Sequence, residues 1–318
     1  MRRIVWAAVA LIYVGSAGVA TQQAPAPAPA ADLRWMMPDR VEREFPDDPT
    51  PKSAPGSTKK YTQEQIDDLL NPPDWYPDQH PTPPQIVVKG HDGVMACGAC
   101  HLMSGLGHPE SSDLTGLSAP YIVQQMLDFK NGSRKDPTGK RMNGIAMEAT
   151  EQEIREAAEY FAALPRKPFQ KVMEAAMVPK TFLGNGRMRF VEPGGEMEPI
   201  GQRIITVPED QARARLRDPN SGFISYVPPG SLARGKNLVE TGGGKTTACG
   251  LCHGQDMKGI AAVPRLSGMH PIYTARQLMW FKDGTRAGQD AHLMKPWVNT
   301  LNLDDIIAIS GYLATLAP

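Results

Sequence analysis

The stretch Cys97-Gly-Ala-Cys100-His101 returns later in the chain as Cys249-Gly-Leu-Cys252-His253. Each stretch places two cysteines three positions apart and a histidine directly after the second one. Together they contain all four cysteines of this 318-residue chain. Because the same spacing is used twice and no cysteine is left over, the pattern argues against a disulfide framework and indicates a bound metal or haem.

Cys-x-x-Cys-His is the attachment pattern of c-type haem. Two thiols about one helical turn apart can bond to the two vinyl groups of one porphyrin, and the histidine then lies under the iron. The alternatives are a structural zinc half-site and a redox dithiol. Zinc would lack a fourth ligand in each copy, and a redox dithiol would not be expected twice with a histidine after both. We therefore predict two covalently bound haem c groups, held by Cys97, Cys100, His101, Cys249, Cys252 and His253.

The similarity extends well beyond the two motifs. They are offset by 249 − 97 = 152 residues, and at this offset 18 of 68 positions are identical between 97–164 and 249–316 without a gap. The matches are clustered, and the longest is Phe129-Lys130-x-Gly132-x-Arg134 with Phe281-Lys282-x-Gly284-x-Arg286. A duplication explains this better than chance, so the chain contains two copies of one domain.

A six-coordinate haem iron needs a second axial ligand, and methionine opposite histidine raises the redox potential. The chain has 16 methionines, of which only Met142 and Met294 are related by the 152-residue offset. Two nearby competitors fail this criterion, since Met147 aligns with Asn299 and Met126 with Leu278. The predicted iron ligands are therefore His101 with Met142 and His253 with Met294.

Composition narrows the functional classes. The 34 basic and 34 acidic residues balance to a net charge of zero, which argues against nucleic acid as a partner. Hydrophobic residues make up 41% of the chain, enough to build cores, while aromatic residues make up only 7%. Two porphyrins could fill part of the interior instead. The histidines outside the motifs (His80, His91, His108, His270 and His292) are expected on the surface or in loops.

The amino-terminal segment has the pattern of a secretory signal. Arg2 and Arg3 precede an apolar run that ends near Val14, and small residues follow up to Ala20. Residues 1–20 are therefore predicted to be a signal peptide, which places the protein in the periplasm. Membrane contact is expected only if this segment stays uncleaved. Residues 21–60 are predicted to be a proline-rich linker, because proline at this density favours extended chain.

The remaining chain is predicted to be mainly helical, with the two repeated domains at 61–164, which includes an amino-terminal extension, and at 231–318, joined by a connector at 165–230. Thr62 with Gln65 and Thr150 with Glu153 have the spacing of capping boxes, which begin helices. The connector is rich in proline and glycine and is predicted to be irregular. The segment Gly184-Asn185-Gly186 marks one small β-hairpin in it, and 203–207 and 223–227 are weaker strand candidates.

Each repeat resembles a class I cytochrome c domain of the cytochrome c4 / c553 type. The resemblance rests on the haem motif, then Leu-x-Gly, Tyr-x-x-x-Gln, Phe-Lys-x-Gly-x-Arg, Met and a final helix, from Cys97 to Leu164 and from Cys249 to Leu316. It implies two tandem class I domains, with methionine at this position as the sixth iron ligand. Pro264 resembles the family proline whose carbonyl orients the proximal histidine, and its counterpart is Ser112.

The family resemblance implies a periplasmic carrier that passes single electrons between redox protein partners. Two alternatives fit the same motifs: a haem subunit of a periplasmic dehydrogenase complex, and a dihaem peroxidase. A peroxidase needs an iron with an open coordination site, and a matched methionine in both copies counts against it. Three basic residues specific to the first repeat, Lys135, Lys140 and Arg141, precede or adjoin its methionine and are predicted to attract an acidic partner.

Overall fold

The computed structural model describes residues 32–38, 41–46, 48–138 and 140–318. The predicted signal peptide at 1–20 lies outside these residues, as does the first part of the predicted linker. The described chain from Leu33 to Pro318 forms one unit. Among the described residues, no helix combines the length and the apolar character needed to cross a bilayer.

Helices predominate in the two repeats and strands in the connector. The α-helices of the described chain are α1 Gln63–Asp67, α2 Gln85–Val88, α3 Gly98–His101, α4 Ala119–Lys130, α5 Arg141–Glu148, α6 Glu151–Ala163, α7 Gln211–Arg215, α8 Ser231–Thr241, α9 Gly250–His253, α10 Pro271–Asp283, α11 Ala291–Asn299 and α12 Leu303–Thr315. Short 3-10 turns occur at Pro77–Gln79 and Asn185–Arg187. The predicted capping boxes are present at the starts of α1 and α6, where both reciprocal hydrogen bonds are formed.

The first repeat packs α4 and α6 around a core that includes Ile122, Ile154 and Phe161. These apolar side chains recur at helical spacing, which is why one face of each helix is buried. Gly132 follows the end of α4 and has a φ of 76°, a left-handed conformation that glycine adopts without strain.

The second repeat has the same order of helices but begins with a longer one. Its α8 packs closely on the final helix α12, and Gly235 lies at the crossing, where an added Cβ would collide with the carbonyl oxygen of Ala308. In the first repeat the corresponding helix α2 has only four residues. The longer α8 gives the second repeat a far more extensive contact with its final helix than α2 makes with α6 in the first.

The connector is more ordered than the sequence analysis predicted. Its strands are β1 Gln170–Glu174, β2 Met177–Pro179, β3 Thr181–Leu183, β4 Arg189–Val191, β5 Met197–Pro199, β6 Ile205–Pro208 and β7 Phe223–Val227. The predicted hairpin is the antiparallel pair β3 and β4. A three-stranded sheet runs in the order β1-β7-β6, with β1 parallel to β7. Two apolar clusters, one around Phe182 and Phe190 and one around Val178 and Ile205, give this segment cores of its own.

The described part of the predicted linker is packed against the protein, which differs from an extended spacer. Trp35 and Met36 are buried and belong to the core of the second repeat. Ala54 is buried with Ile66 and Trp75 in a small cluster on the amino-terminal side of the first repeat. Burial of these large apolar side chains accounts for the order of a proline-rich segment.

Candidate haem sites

Each motif forms one short helix that presents its cysteines and histidine together. Cys97 caps α3 and Cys249 caps α9, and the histidine is the last residue of each helix. The chain then turns at Leu102 and at Gly254, both with positive φ. The spacing in the sequence therefore becomes the one-turn geometry that attachment of a porphyrin requires.

Both predicted proximal histidines are oriented by a backbone carbonyl. His101 Nδ1 donates to the carbonyl oxygen of Ser112 at 2.8 Å, and His253 Nδ1 donates to that of Pro264 at 2.7 Å. The bond needs only a carbonyl, so serine serves in the first repeat as well as proline does in the second. Because Nδ1 is occupied, Nε2 is the nitrogen left for a metal.

Three observations test whether the residues fit a haem. His253 Nε2 is buried without a hydrogen-bond partner among the described residues, as expected of an iron ligand. Burial lowers the pKa of His101 to about 4, so its imidazole is neutral at physiological pH. A cavity in the first repeat is lined by Cys97, Cys100 and His101. The donor set and its surroundings fit haem c.

The structure brings Met142 to the same cavity as His101. Met142 is half-buried on α5, whereas its competitor Met147 is 56% exposed. Met126 also lines this cavity, on α4. In the second repeat Met294 lies on α11, is half-buried, and packs with Cys249 against the same apolar core. Both methionines are positioned for the predicted role, which stays a prediction.

The two repeats meet through their matched arginines. Arg134 and Arg286 form an isolated antiparallel bridge, and both side chains are almost fully buried. Arg134 donates to Gln125 at 2.8 Å and, across the boundary, to Gln277 at 2.9 Å. Arg286 donates in the mirrored sense to Gln277 at 2.9 Å and to Gln125 at 2.7 Å. The duplicated sequence therefore builds a pseudo-symmetric junction.

The charge of this junction fits an anionic ligand. Its arginines bond to neutral glutamine and tyrosine side chains, and Arg134 Nε has no partner among the described residues. Burial, followed by Arg286, lowers the pKa of Arg134. Burial would raise the pKa of Tyr273, but Arg134 and Arg286 reverse that effect and bring it to about 8. Haem carries propionates, and two buried guanidinium groups beside the first cavity would suit them.

Segments outside the two repeats also line the first site, which the sequence did not predict. Arg217, from the connector, lines the first cavity and donates to the carbonyl oxygen of Ala99, between the two cysteines. The amino-terminal extension, by which we mean the described chain before Cys97, contributes Pro38 and Leu69 to the same cavity. No sequence motif predicts these contacts, because they depend on how segments that are distant in the sequence pack on the first repeat.

Two of the unmatched histidines lie in loops, as expected, but both are buried. His270 is 1% exposed and its Nε2 donates to the carbonyl oxygen of Leu106, which joins the two repeats. Burial lowers the pKa of His270 to about 3. His108 is also buried and lines the first cavity beside Glu110. Burial arises because both histidines lie where the repeats meet, a position that the sequence of one repeat does not reveal.

Comparison with known proteins agrees with this architecture. The Cytochrome c family model matches residues 232–317. Cytochrome c-554(548) of Halomonas halodenitrificans is 35% identical over 84 residues, covering 26% of this chain and 93% of that protein. Cytochrome c4 of Pseudomonas aeruginosa is 27% identical over 234 residues, covering 72% of this chain and 88% of that one. A thiosulfate dehydrogenase electron acceptor of Stutzerimonas stutzeri is 25% identical, covering 73% and 85%.

The chain belongs to the cytochrome c family. Within that family it is a dihaem class I cytochrome of the cytochrome c4-like kind, with two covalently bound haem c groups. It is mainly helical, as predicted, and its general role is electron transfer.

Proposed function

We propose that this protein is an exported, periplasmic electron carrier that passes single electrons between redox proteins through two His/Met-ligated haems. Its domains would be 61–164 and 231–318, with ligands His101 and Met142 in the first and His253 and Met294 in the second. The connector at 165–230 would be a structural cover and not a catalytic domain. The protein would have no catalytic residues of its own.

One observation carries this proposal. Each histidine has its Nδ1 fixed by a carbonyl, and in each repeat a half-buried methionine packs with the haem cysteines in the same cavity or core. The histidine and the methionine would together hold the iron, so the haem would supply one-electron chemistry and leave no place for a substrate. The histidine bond also strengthens the imidazole as a ligand.

The junction between the repeats supports exchange of electrons between the two haems. Arg134 lines the first cavity, and its Nη2 reaches Gln277 of the second repeat. Arg286 reaches Gln125 of the first repeat in return. Arg134 and Arg286 would hold the haem propionates here, which would bring both haems to one buried boundary. Rigid surroundings favour electron transfer because little rearrangement accompanies the change of charge.

The donor class follows from chemistry and similarity together. A relative named as a thiosulfate dehydrogenase electron acceptor makes a dehydrogenase the donor class that we favour. The exposed residues Lys135, Lys140 and Arg141 would attract the acidic surface of such a partner to the first haem.

The test uses the purified exported holoprotein. We expect it to take up two electrons per chain in a redox titration and to keep low-spin spectra in both states. Cyanide and hydrogen peroxide should bind neither to the resting protein nor to the half-reduced protein. Binding to one haem would support a dihaem peroxidase instead. Stable co-purification with a large flavin or quinone subunit would favour a dehydrogenase subunit over a free carrier.

A further inference from the structure

We propose that the buried ion pair Asp113–Arg265 sets the order of the two haem potentials, lower at the first haem and higher at the second. This inference rests on the proposed function, because it takes His101 and His253 as iron ligands. Asp113 and Arg265 both lie outside the two haem motifs.

The pair is enclosed and firmly held. Asp113 and Arg265 are 3% and 1% exposed, and Asp113 Oδ2 lies 2.5 Å from Arg265 Nη2. The backbone N–H and the hydroxyl of Thr115 both donate to Asp113 Oδ1 at 2.8 Å. Arg265 donates from Nε to the carbonyl oxygen of Thr115 at 2.6 Å and from Nη1 to that of Ser267 at 2.5 Å. With so many fixed bonds, the charges keep one orientation.

The two charges occupy the same position of the two repeats, since 265 − 152 = 113. Thr115, which bonds to both residues of the pair, and Ser267, which bonds to Arg265, are equivalent in the same way. One duplicated position therefore carries a negative charge in the first copy and a positive charge in the second, and the two meet across the boundary. The bonds of Arg134 and Arg286 are nearly symmetric, whereas at this pair the two copies carry opposite charges.

The pair is also tied to both proximal histidines. Asp113 follows Ser112, whose carbonyl accepts the Nδ1 proton of His101 at 2.8 Å. Arg265 follows Pro264, whose carbonyl accepts that of His253 at 2.7 Å. A continuous path therefore runs from His101 through the ion pair to His253. The negative end lies on the side of the first haem and the positive end on the side of the second.

The sign of the effect follows from charge. An oxidised haem iron has one more positive charge than a reduced one, so a nearby anion favours oxidation and a nearby cation favours reduction. Inside a protein such interactions are stronger than in water and salt screens them little. The pair is a fixed dipole, so each haem responds mainly to its nearer end.

The test is a spectroelectrochemical titration of the holoprotein at mildly alkaline pH, because burial raises the pKa of Asp113 while Arg265 and Thr115 oppose that rise. Each haem is assigned from the spectrum of a variant with its methionine replaced. In the wild-type protein we expect the first haem to be reduced at the lower potential. Asp113→Asn should raise the potential of the first haem more than that of the second. Arg265→Gln should lower that of the second more than that of the first. Both changes narrow the separation.

The decisive variant exchanges the charges, Asp113→Arg with Arg265→Asp. It keeps an ion pair at the boundary but reverses the dipole, so the separation should shrink or change sign. An unchanged separation in this variant, or a higher potential at the first haem of the wild-type protein, would overturn the proposal. If the exchange variant does not fold, the two single variants decide, and Arg265→Lys should retain the wild-type separation. A haem that lacks the His/Met spectrum would instead count against the proposed function.

Discussion

The two haem sites are built from one motif but differ in what covers them. Ala99 and Leu251 are equivalent residues between the paired cysteines, since 251 − 152 = 99, yet Ala99 is fully buried and Leu251 is 68% exposed. Arg217 of the connector bonds to the backbone of Ala99. Around the second site, Leu293 and Trp297 are also exposed. The connector and the extension therefore enclose the first haem site and leave the second open.

This difference shows that a duplicated sequence fixes the internal geometry of a site and not its access to solvent. The histidine–carbonyl bonds differ by only 0.1 Å between the repeats. The cover comes from segments that were not duplicated. We expect the second haem to be reached more readily by small reagents, and the first to depend on its electrostatic rim for contact with a partner.

The largest effect should come from removing one pair of cysteines. Cys97→Ser with Cys100→Ser, and separately Cys249→Ser with Cys252→Ser, should each leave one covalently bound haem, because each pair attaches only its own porphyrin. Intact-mass spectrometry after acid denaturation checks this. Loss of both haems from one double variant would mean that attachment in the two repeats is interdependent.

Loss of an axial methionine should change one spectrum and leave the other. Met142→Leu should abolish the long-wavelength Met-to-iron absorption of the first haem alone, and Met294→Leu that of the second. Met147→Leu is the matched control, since this side chain is exposed on the same helix. If Met147→Leu or Met126→Leu removes the band and Met142→Leu does not, the ligand assignment in the first repeat is wrong.

Particular residues show which parts of the fold and of the site can be predicted from the sequence. The capping boxes at Thr62 and Thr150 and the hairpin β3–β4 were predicted because their signals are local. The strand β1 was missed, because it pairs in parallel with β7 from more than fifty residues away. The Asp113–Arg265 pair had a signal in the aligned repeats, opposite charges at one position. The contact between Arg217 and the backbone of Ala99 had no such signal in the sequence.

Gly235→Ala tests the second repeat's dependence on its helix crossing. The added Cβ would collide with the backbone of Ala308, which cannot rotate away. We expect a loss of about 1–3 kcal/mol in the free energy of unfolding. Gly144→Ala on α5 is the control, because open space surrounds its Cβ; alanine there should stabilise the helix by roughly 0.5–1 kcal/mol. Denaturant unfolding measures the free energy of unfolding of both variants. If the two variants are equally stable, the close contact between α8 and α12 does not stabilise the second repeat.

A smaller effect is expected from the charged rim of the first haem. Reversal of Lys135, Lys140 and Arg141 to glutamate should slow reduction by an acidic redox partner at low ionic strength, and added salt should remove the difference. Both haem spectra should stay unchanged. Lys258→Glu with Lys295→Glu in the second repeat is the control. If the control slows the reaction as much as the first-repeat variant does, the partner docks at the open second site.

The smallest effect concerns the cover of the first repeat and depends on pH. His80 of the amino-terminal extension bonds through Nε2 to Asp74 at 3.1 Å and its ring meets that of Tyr160 on α6 edge-on. The hydrogen bond to Asp74 is the main cause that raises the pKa of His80 above its ordinary value of 6.5. Its stabilising contribution is therefore complete below about pH 6.5 and is lost as the pH rises through the higher pKa of the folded protein.

We expect this loss to be about 1 kcal/mol or less, as for other partly exposed ion pairs. Denaturant unfolding at mildly acidic and mildly alkaline pH, compared between the wild-type protein and Asp74→Asn, isolates it. The variant should lose this part of the pH dependence, because its His80 no longer has a carboxylate partner. If both proteins lose the same stability as the pH rises, a group other than His80 is responsible.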